Sequence, residues 1–175
     1  MLVTPDQQRL VLSLVVVPDA VGQRRASAEE LLAAFGAHDG NGLCGRLLQK
    51  AMAERSAEDV ELTLVLAATF GLEESSLPTL QRLARQPWHG RHEDISGLLE
   101  RLGGPAVVED LEFLGWAGPE FQNYEASTSL AKKVVHSLER IATPSARAAL
   151  ARLRLHPEPD VRALVERVEA RLGYG

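Results

Sequence analysis

The chain has little cysteine and few aromatic residues. Cys44 is its single cysteine, which excludes an intramolecular disulfide framework and a metal site built from several thiolates. Aromatic residues make up only 5% of the sequence, which argues against an aromatic-rich β-sandwich and suits helices of Leu, Ala and Val. A nucleophilic cysteine needs a positioned base, and none of the five histidines can be placed beside Cys44 from the sequence. We therefore expect Cys44 to be a core residue.

The chain also lacks an excess of positive charge and a long apolar run. Its net charge of -5 gives no overall attraction to nucleic acid or to an anionic membrane. The apolar run 10–17 is too short to span a bilayer, and the first residues lack the basic region of a signal peptide. The 175 residues, 45% hydrophobic and 25% charged, are typical of one soluble domain. We expect a cytoplasmic protein without a cofactor.

The most informative feature of the sequence is an internal repeat. Residues 99–114 recur in kind, 39 positions later, as residues 138–153. A period near 40 residues, with a helical pattern on each side of a proline, predicts stacked helix pairs. We expect the repeated apolar positions to be buried along one seam; they are Leu99, Leu102, Leu111 and Leu114 with Leu138, Ile141, Leu150 and Leu153.

Helix boundaries are clearest in the second half of the chain. Gly103 and Gly104 end one predicted helix, and Pro105 opens the next. Thr143 is a predicted N-cap before Pro144. The last predicted helix has Asp160 as its N-cap and Gly173 as its stop signal, and its apolar residues follow helical spacing between them.

The first half of the chain also reads as helices, with looser periodicity. Ser27 and Glu30 form a predicted capping box, and Gly71 ends a helix whose apolar residues reach Phe70. Residues 39–42, rich in glycine, predict a turn before the next helix. Residues 1–26 are compatible with a helix or a strand. We favour a capping helix, because a strand would have no partner in this sequence.

The pairing of a proline-led helix with a second amphipathic helix resembles HEAT-type repeats. Residues 156–172 are similar to the second helix of such repeats, and the resemblance covers residues 88–175 well and residues 27–87 weakly. It implies an all-α fold, a right-handed α-solenoid of about four HEAT-like helix pairs. We expect a single domain over residues 1–175, with residues 1–26 as its cap.

A narrower resemblance bears on function. The segment 88–95, Tyr124 and the stretch 132–144 together resemble a group of short bacterial HEAT-like proteins, some of which lie beside polymorphic toxins as immunity proteins. The resemblance implies a non-enzymatic protein-interaction module whose partner is a protein, with a bacterial toxin as the concrete case. We expect neither nucleic acid nor membrane as a partner, and the oligomeric state stays open.

The densest polar cluster, residues 88–94, permits a metal-dependent alternative. His92 and Glu93 are similar to the His-Glu dyads of deoxyhypusine hydroxylase, a di-iron HEAT-repeat enzyme. The equivalent positions one repeat later are Ala131 and Lys132, and one dyad cannot hold two irons. His89 and His92, with Glu93, also have the spacing of ligands for one Zn²⁺. A purely structural role is the alternative to metal binding: Glu93 and Asp94 would lie in the first turn of a helix, where the helix dipole favours carboxylates.

A second alternative is nucleic-acid binding. HEAT-like folds include alkylpurine DNA glycosylases, which need aromatic residues and a carboxylate beside a cationic track. Trp88, Asp94, Trp116 and Tyr124 are residues of the right types, and residues 140–171 are rich in arginine. Those arginines also suit solvated helix faces, where they would pair with Glu166 and Glu169. The negative net charge favours arginines on solvated helix faces over nucleic-acid binding.

The segment 116–127 is a long connection inside the repeat with three aromatic residues. Insertions in solenoids map to loops on one face, often the binding face, and aromatic residues are good interface anchors. Phe121 and Tyr124 would otherwise fill the groove of the solenoid. We predict no catalytic residue and no metal ligand, and a partner-binding surface formed by Trp88, His89, His92, Glu93, Trp116, Phe121 and Tyr124.

Overall fold

A computed structural model describes residues 3–15, 24–121 and 128–173. These residues are helical and include no strand. Short 3-10 turns at Glu74–Ser76, Gly104–Val107 and Pro119–Phe121 connect some of the helices. The α-helices are α1 (Pro5–Leu12), α2 (Ala28–Ala34), α3 (Gly40–Glu54), α4 (Ala57–Phe70), α5 (Leu77–Ala84), α6 (His92–Gly103), α7 (Val108–Gly115), α8 (Ser129–Ile141), α9 (Pro144–Leu153) and α10 (Pro159–Arg171). The prediction of an all-α protein is confirmed.

The chain forms two compact units, residues 1–79 and residues 80–175, and the division falls within α5. In the first unit α3 packs against α4, while α1 contacts α2 and α4. The apolar sides of these helices share a buried core that includes Leu31, Cys44, Leu48, Val60 and Leu66. Cys44 is therefore a core residue, as the sequence predicts.

Most predicted helix ends of the first unit are confirmed. The side chain of Ser27 accepts a hydrogen bond from the Glu30 N–H, and Glu30 accepts one from the Ser27 N–H in return. Gly71 ends α4 with a φ of 83°, in the left-handed region that glycine adopts most readily. In the N-terminal segment, residues 5–12 are helical, as we favoured. Residues 16 and 17 of the apolar run lie outside the described residues.

The predicted turn at residues 39–42 is wrong. Asp39 is the N-cap of α3, and its carboxylate accepts hydrogen bonds from the N–H groups of Asn41 and Gly42 at 3.2 and 2.7 Å. The glycines belong to the first helical turn because the helix comes very close to α4 there. A β-carbon on Gly40 would lie 2.3 Å from the ring of Phe70.

The predicted N-cap of α10 is also displaced. Glu158 is the N-cap, Pro159 follows it at the first helical position, and Asp160 lies in the first turn. Proline occupies the first position because its φ is already helical and it has no N–H to leave unsatisfied. Asp160 instead pairs with Lys132 of α8 at 3.0 Å. The stop signal is confirmed, since Gly173 follows the helix with a φ of 77°.

Helices α6 to α10 of the second unit pack against one another. Helix α8 contacts both α6 and α10, α7 contacts α9, and α8 also contacts α7 and α9. A β-carbon on Gly115 would lie 3.2 Å from side-chain atoms of Val134 and Leu153, so the end of α7 lies close against α8 and α9. Of the eight repeated apolar positions, six are buried; Leu102 and Ile141 are half-buried.

Ion pairs join equivalent helices of successive repeats. Arg140 of α8 binds the Glu100 carboxylate of α6, and Arg171 of α10 binds Glu139 of α8 at 2.8 Å. Glu100 and Glu139 occupy the same repeat position. Arg154 pairs with Glu169 at 2.5 Å, as predicted, whereas several other arginines bind glutamates of the preceding repeat rather than Glu166. Among the described residues no helix is long and apolar enough to cross a membrane.

Candidate interaction surface

Of the two segments that the sequence selects, residues 88–93 meet the described part of the second, residues 116–121, in the second unit. The rings of His89 and His92 stack with centroids 4.2 Å apart. The ring of Phe121 contacts His92 edge-on at 5.0 Å and Phe113 of α7 at 5.5 Å. We call these four residues and Trp88, whose ring lies 5.1 Å from that of His89, the ring cluster. The ring cluster fixes the segment after α7 against the beginning of α6.

His89 is neutral and fully hydrogen-bonded inside the ring cluster. Its Nε2–H donates to the carbonyl of Leu83 at 3.0 Å, and its Nδ1 accepts from the N–H of Arg91 at 3.2 Å. The side chain is only 4% exposed. Burial, reinforced by the neighbouring His92, lowers the pKa of His89 to about 4. Both ring nitrogens are occupied, so the imidazole could bind a metal only after losing a backbone contact.

His92, three residues later, is the first residue of α6 and is buried as well. Its Nε2 lies 2.8 Å from the carbonyl of Gln86, and the residue is 1% exposed. Burial lowers the pKa of His92, while its hydrogen bonds to backbone carbonyls act in the opposite direction. Both histidines thus bind carbonyls at or just beyond the end of α5. The described residues include no group of three His, Cys, Asp or Glu side chains that could hold a metal ion.

Trp88 and Glu93 lie at the edge of the ring cluster. The indole N–H of half-buried Trp88 donates to the side chain of Gln86 at 3.2 Å. Glu93 is exposed in the first turn of α6 and accepts a hydrogen bond from the Ser129 hydroxyl of α8. The contacts of these two side chains do not indicate a catalytic role, and both side chains remain accessible to a partner.

A buried carboxylate that the sequence did not single out supports the other side of the ring cluster. Asp110 of α7 is 6% exposed and accepts hydrogen bonds from Gln81 at 2.8 Å and from Arg85 at 2.7 Å. The Arg85 guanidinium also lies over the Phe113 ring, 4.8 Å from its centroid. The guanidinium of Arg85 thus binds the Asp110 carboxylate on one side and the Phe113 ring on the other, and these contacts hold the end of α5 against α7.

Trp116 differs from the ring cluster because it is exposed. It follows the last residue of α7, its N–H donates to the carbonyls of Glu112 and Phe113, and 41% of its surface is accessible. Its ring lies 5.4 Å from that of His156 in the loop between α9 and α10. The indole is therefore held in place on one side and open on the other.

His156 fixes this arrangement. It is 7% exposed, and its Nδ1 accepts a hydrogen bond from the N–H of Glu158 at 3.1 Å. Burial lowers the pKa of His156; the charge of Glu158 and the carbonyl of Gly115 oppose that effect. The imidazole thus ties the loop after α9 to the end of α7, directly beneath Trp116.

The residue before His156 completes the surface. Leu155 is 80% exposed, more than any other large hydrophobic side chain among the described residues. It lies 39 positions after Trp116, so the two exposed side chains occupy the same repeat position. Leu155 was not predicted from the sequence as a binding residue, although the 39-residue period relates it to Trp116. We call Trp116, Leu155 and His156 the Trp116–Leu155 patch.

The remaining predicted residues are placed as follows. Phe121 is half-buried in the ring cluster, and Tyr124 lies outside the described residues. Cys44 is fully buried, and burial raises the pKa of its thiol to about 11, so it stays protonated at neutral pH.

Comparison of the chain with protein-family models, with curated proteins and with solved structures finds no match.

Proposed function

We propose that the chain is a non-enzymatic protein-interaction module that binds its partner through the Trp116–Leu155 patch. The observation that carries the proposal is the exposure of two large apolar side chains at the same position of successive repeats. Leu155 alone is 80% exposed. Leaving a leucine in water forgoes about 1.5–3 kcal/mol of burial free energy, which a covering partner recovers.

The patch is also prepared for binding. Contact with His156 limits the motion of Trp116. A side chain that is already ordered loses less entropy when a partner covers it. Tryptophan is enriched among the residues that dominate binding energy in protein interfaces. Together these features favour a contact surface over a loosely packed loop.

The ring cluster supports this surface from within. Phe121 packs on His92 and Phe113, and it lies five residues after Trp116 in the same segment. Because His89 and His92 are buried, their role in this proposal is to position that segment, while Trp116, Trp88 and Glu93 remain accessible to the partner.

We further propose that the helices form a HEAT-like right-handed solenoid of about four pairs. The contacts of α8 with α6 and α10, the contact of α7 with α9, and the repeated Glu-Arg pairs support stacking in two rows. With the resemblance to short bacterial HEAT-like proteins, the concrete proposal is a cytoplasmic immunity protein that covers a bacterial toxin.

The arginines of the second unit do not favour nucleic acid as the partner. Arg140, Arg152, Arg154 and Arg171 each bind a glutamate of another helix. Phosphate binding requires cations that can exchange their counterions for the phosphate backbone. An arginine that already holds a carboxylate of its own chain contributes less to such binding.

Site-specific photo-crosslinking in cells of the source organism tests the proposed function. A photo-reactive phenylalanine analogue replaces Leu155 in one variant and the exposed Ala170 of α10 in the control. We expect a discrete protein adduct from position 155 that is absent at position 170 and is lost when Trp116→Ser is added. No adduct, or the same adduct from both positions, would contradict the proposal.

A further inference from the structure

We propose that the segment of the partner that covers the Trp116–Leu155 patch is basic, with lysine or arginine side chains beside apolar ones. This inference rests on the proposed function. It follows from the charges around the patch, from the helix ends that meet there and from the chemistry of an exposed indole.

Two exposed carboxylates flank the patch. Glu158 follows the loop that carries Leu155 and His156, and its charge acts on the His156 ring more strongly than that of Arg162. The Glu120 carboxylate folds back over Gly118, where its Oε2 lies 2.5 Å from the place a β-carbon would take, two residues after Trp116. Both carboxylates belong to the two short segments that carry the patch, so a partner that covers the patch meets negative charge.

The nearby arginines are already occupied. Arg152 binds both oxygens of Glu112 at 2.5 and 2.6 Å, and Arg154 binds Glu169 at 2.5 Å. Arg162 donates to the backbone carbonyls of His156 and Pro157, both at 2.7 Å. Glutamates of the chain itself thus neutralise Arg152 and Arg154, whereas Arg162 keeps its charge. The two exposed carboxylates outnumber that one remaining positive charge, so a partner meets a net negative charge.

Two helix ends add to this negative character. Helix α7 ends at Gly115, directly before Trp116, and α9 ends at Leu153, two residues before Leu155. The carbonyl end of a helix carries a partial negative charge and attracts cations. The face of an indole attracts a guanidinium or ammonium group as well. The net charge of -5 favours the approach of a basic partner over longer distances.

The test uses the only two tryptophans of the chain, Trp88 and Trp116, whose indole N–H signals are separable by NMR. A ten-residue peptide of arginine, leucine and serine is titrated into the full chain. Matched peptides carry glutamine or glutamate in place of arginine. We expect the arginine peptide to shift the Trp116 signal at a concentration at least about tenfold lower than the glutamine peptide, with the Trp88 signal unchanged. Trp116→Phe assigns the signals.

Variants of the chain show which charges are responsible. The double variant Glu120→Gln with Glu158→Gln should raise the half-saturating concentration of the arginine peptide by about fivefold, since exposed ion pairs each contribute little. Glu54→Gln, which neutralises an exposed carboxylate of the first unit, should leave it unchanged. Raising the salt concentration should weaken binding of the arginine peptide and have little effect on the glutamine peptide.

Three outcomes would overturn the inference: equal response to the arginine and glutamine peptides, stronger response to the glutamate peptide or to a short DNA duplex, and no response to any peptide. None of these outcomes decides whether position 155 crosslinks to a protein in cells. The proposed function can therefore stand while the basic character of the partner fails.

Discussion

The two best-defined repeats, α6 with α7 and α8 with α9, have the same interior and different surroundings. Leu99 and Leu138 are buried at equivalent positions, as are Leu111 and Leu150. The shared glutamate position binds an arginine of the next repeat in both. Both repeats thus keep their buried leucines and the glutamate that binds an arginine of a later helix.

The differences are concentrated at the ring cluster. His89 and His92 of the first repeat correspond to Thr128 and Ala131 of the second, and Phe113 corresponds to Arg152. Only the first repeat therefore fixes its connecting segment with stacked rings. Trp116 and Leu155 are an exception to these differences. The two side chains differ in type, but both are exposed. Besides the glutamate position, the repeats thus share an uncovered apolar side chain outside the core.

Truncating the shared core should have the largest effect. We expect Leu111→Ala and Leu150→Ala each to lower the free energy of unfolding by about 2–5 kcal/mol, because both side chains are fully buried. Leu102→Ala and Ile141→Ala, at half-buried positions, should lose about half as much. Urea unfolding followed by circular dichroism measures the four values. Losses below about 1 kcal/mol at both leucines would contradict their burial, and a large loss at only one of them would contradict the equivalence of the repeats.

Acid should destabilise the fold through the ring cluster of the first repeat. An unfolded histidine has a pKa near 6.5 and that of folded His89 is about 4, so the unfolded chain binds more protons between these values. This contribution is present above pH 6.5 and is lost as the pH falls toward 4, which should cost on the order of 2–3 kcal/mol.

The measurement is the free energy of unfolding at several pH values for the wild type and for His89→Gln. The variant should be less stable at pH 7 and should lose stability less steeply on acidification. The second repeat has no counterpart of His89. If the free energy of unfolding of the variant falls with pH as steeply as that of the wild type, groups other than His89 cause the pH dependence.

The ends of α6 and α8 allow a smaller, two-sided test. Both C-caps have positive φ, 48° at Gly104 and 53° at Ala142. Ala142→Gly should raise the free energy of unfolding by about 0.5–1 kcal/mol, because it relieves a left-handed alanine. Gly104→Ala should lower it by about 1–2 kcal/mol. Thermal unfolding reports both, and the same sign for the two changes would contradict this account of the helix ends.

The inter-repeat ion pairs should matter least for stability. Arg140→Met and Arg152→Met each remove a pair that is largely exposed, and we expect losses of at most about 1 kcal/mol that shrink at high salt. Unfolding in low and high salt provides the comparison. A loss of several kcal/mol that salt does not change would show that these pairs carry the stacking.

The sequence predicted the helices of this chain well because apolar spacing and capping residues are local signals. Ser27 with Glu30, Gly71 and Thr143 are examples whose geometry is confirmed. The errors at Asp39 and Asp160 came from signals that depend on context. The close approach of Phe70 to Gly40 and the preference of Pro159 for the first helical position decide those two ends.

The candidate site was less predictable because exposure is a property of the folded chain. Trp116 was selected as an aromatic residue, yet Leu155 in a short loop carries no local signal of its exposure. His89 and His92 were selected for their chemistry, and their burial follows from packing against Phe121 and the carbonyls of Leu83 and Gln86. From the sequence we could predict that the two segments lie together. We could not predict which of their side chains are accessible.

The most direct test of the central claim is the affinity of the double variant Trp116→Ser with Leu155→Ser for the protein that crosslinks at position 155. Isothermal titration gives the affinity, and thermal unfolding of the free chain checks its stability. We predict an affinity at least about 100-fold weaker, because both side chains contact the partner. The unfolding midpoint should fall much less than that of Leu111→Ala, because Leu155 is 80% exposed and Trp116 is covered only on the side of His156. Unchanged affinity, or a midpoint that falls as far as that of Leu111→Ala, would contradict the claim.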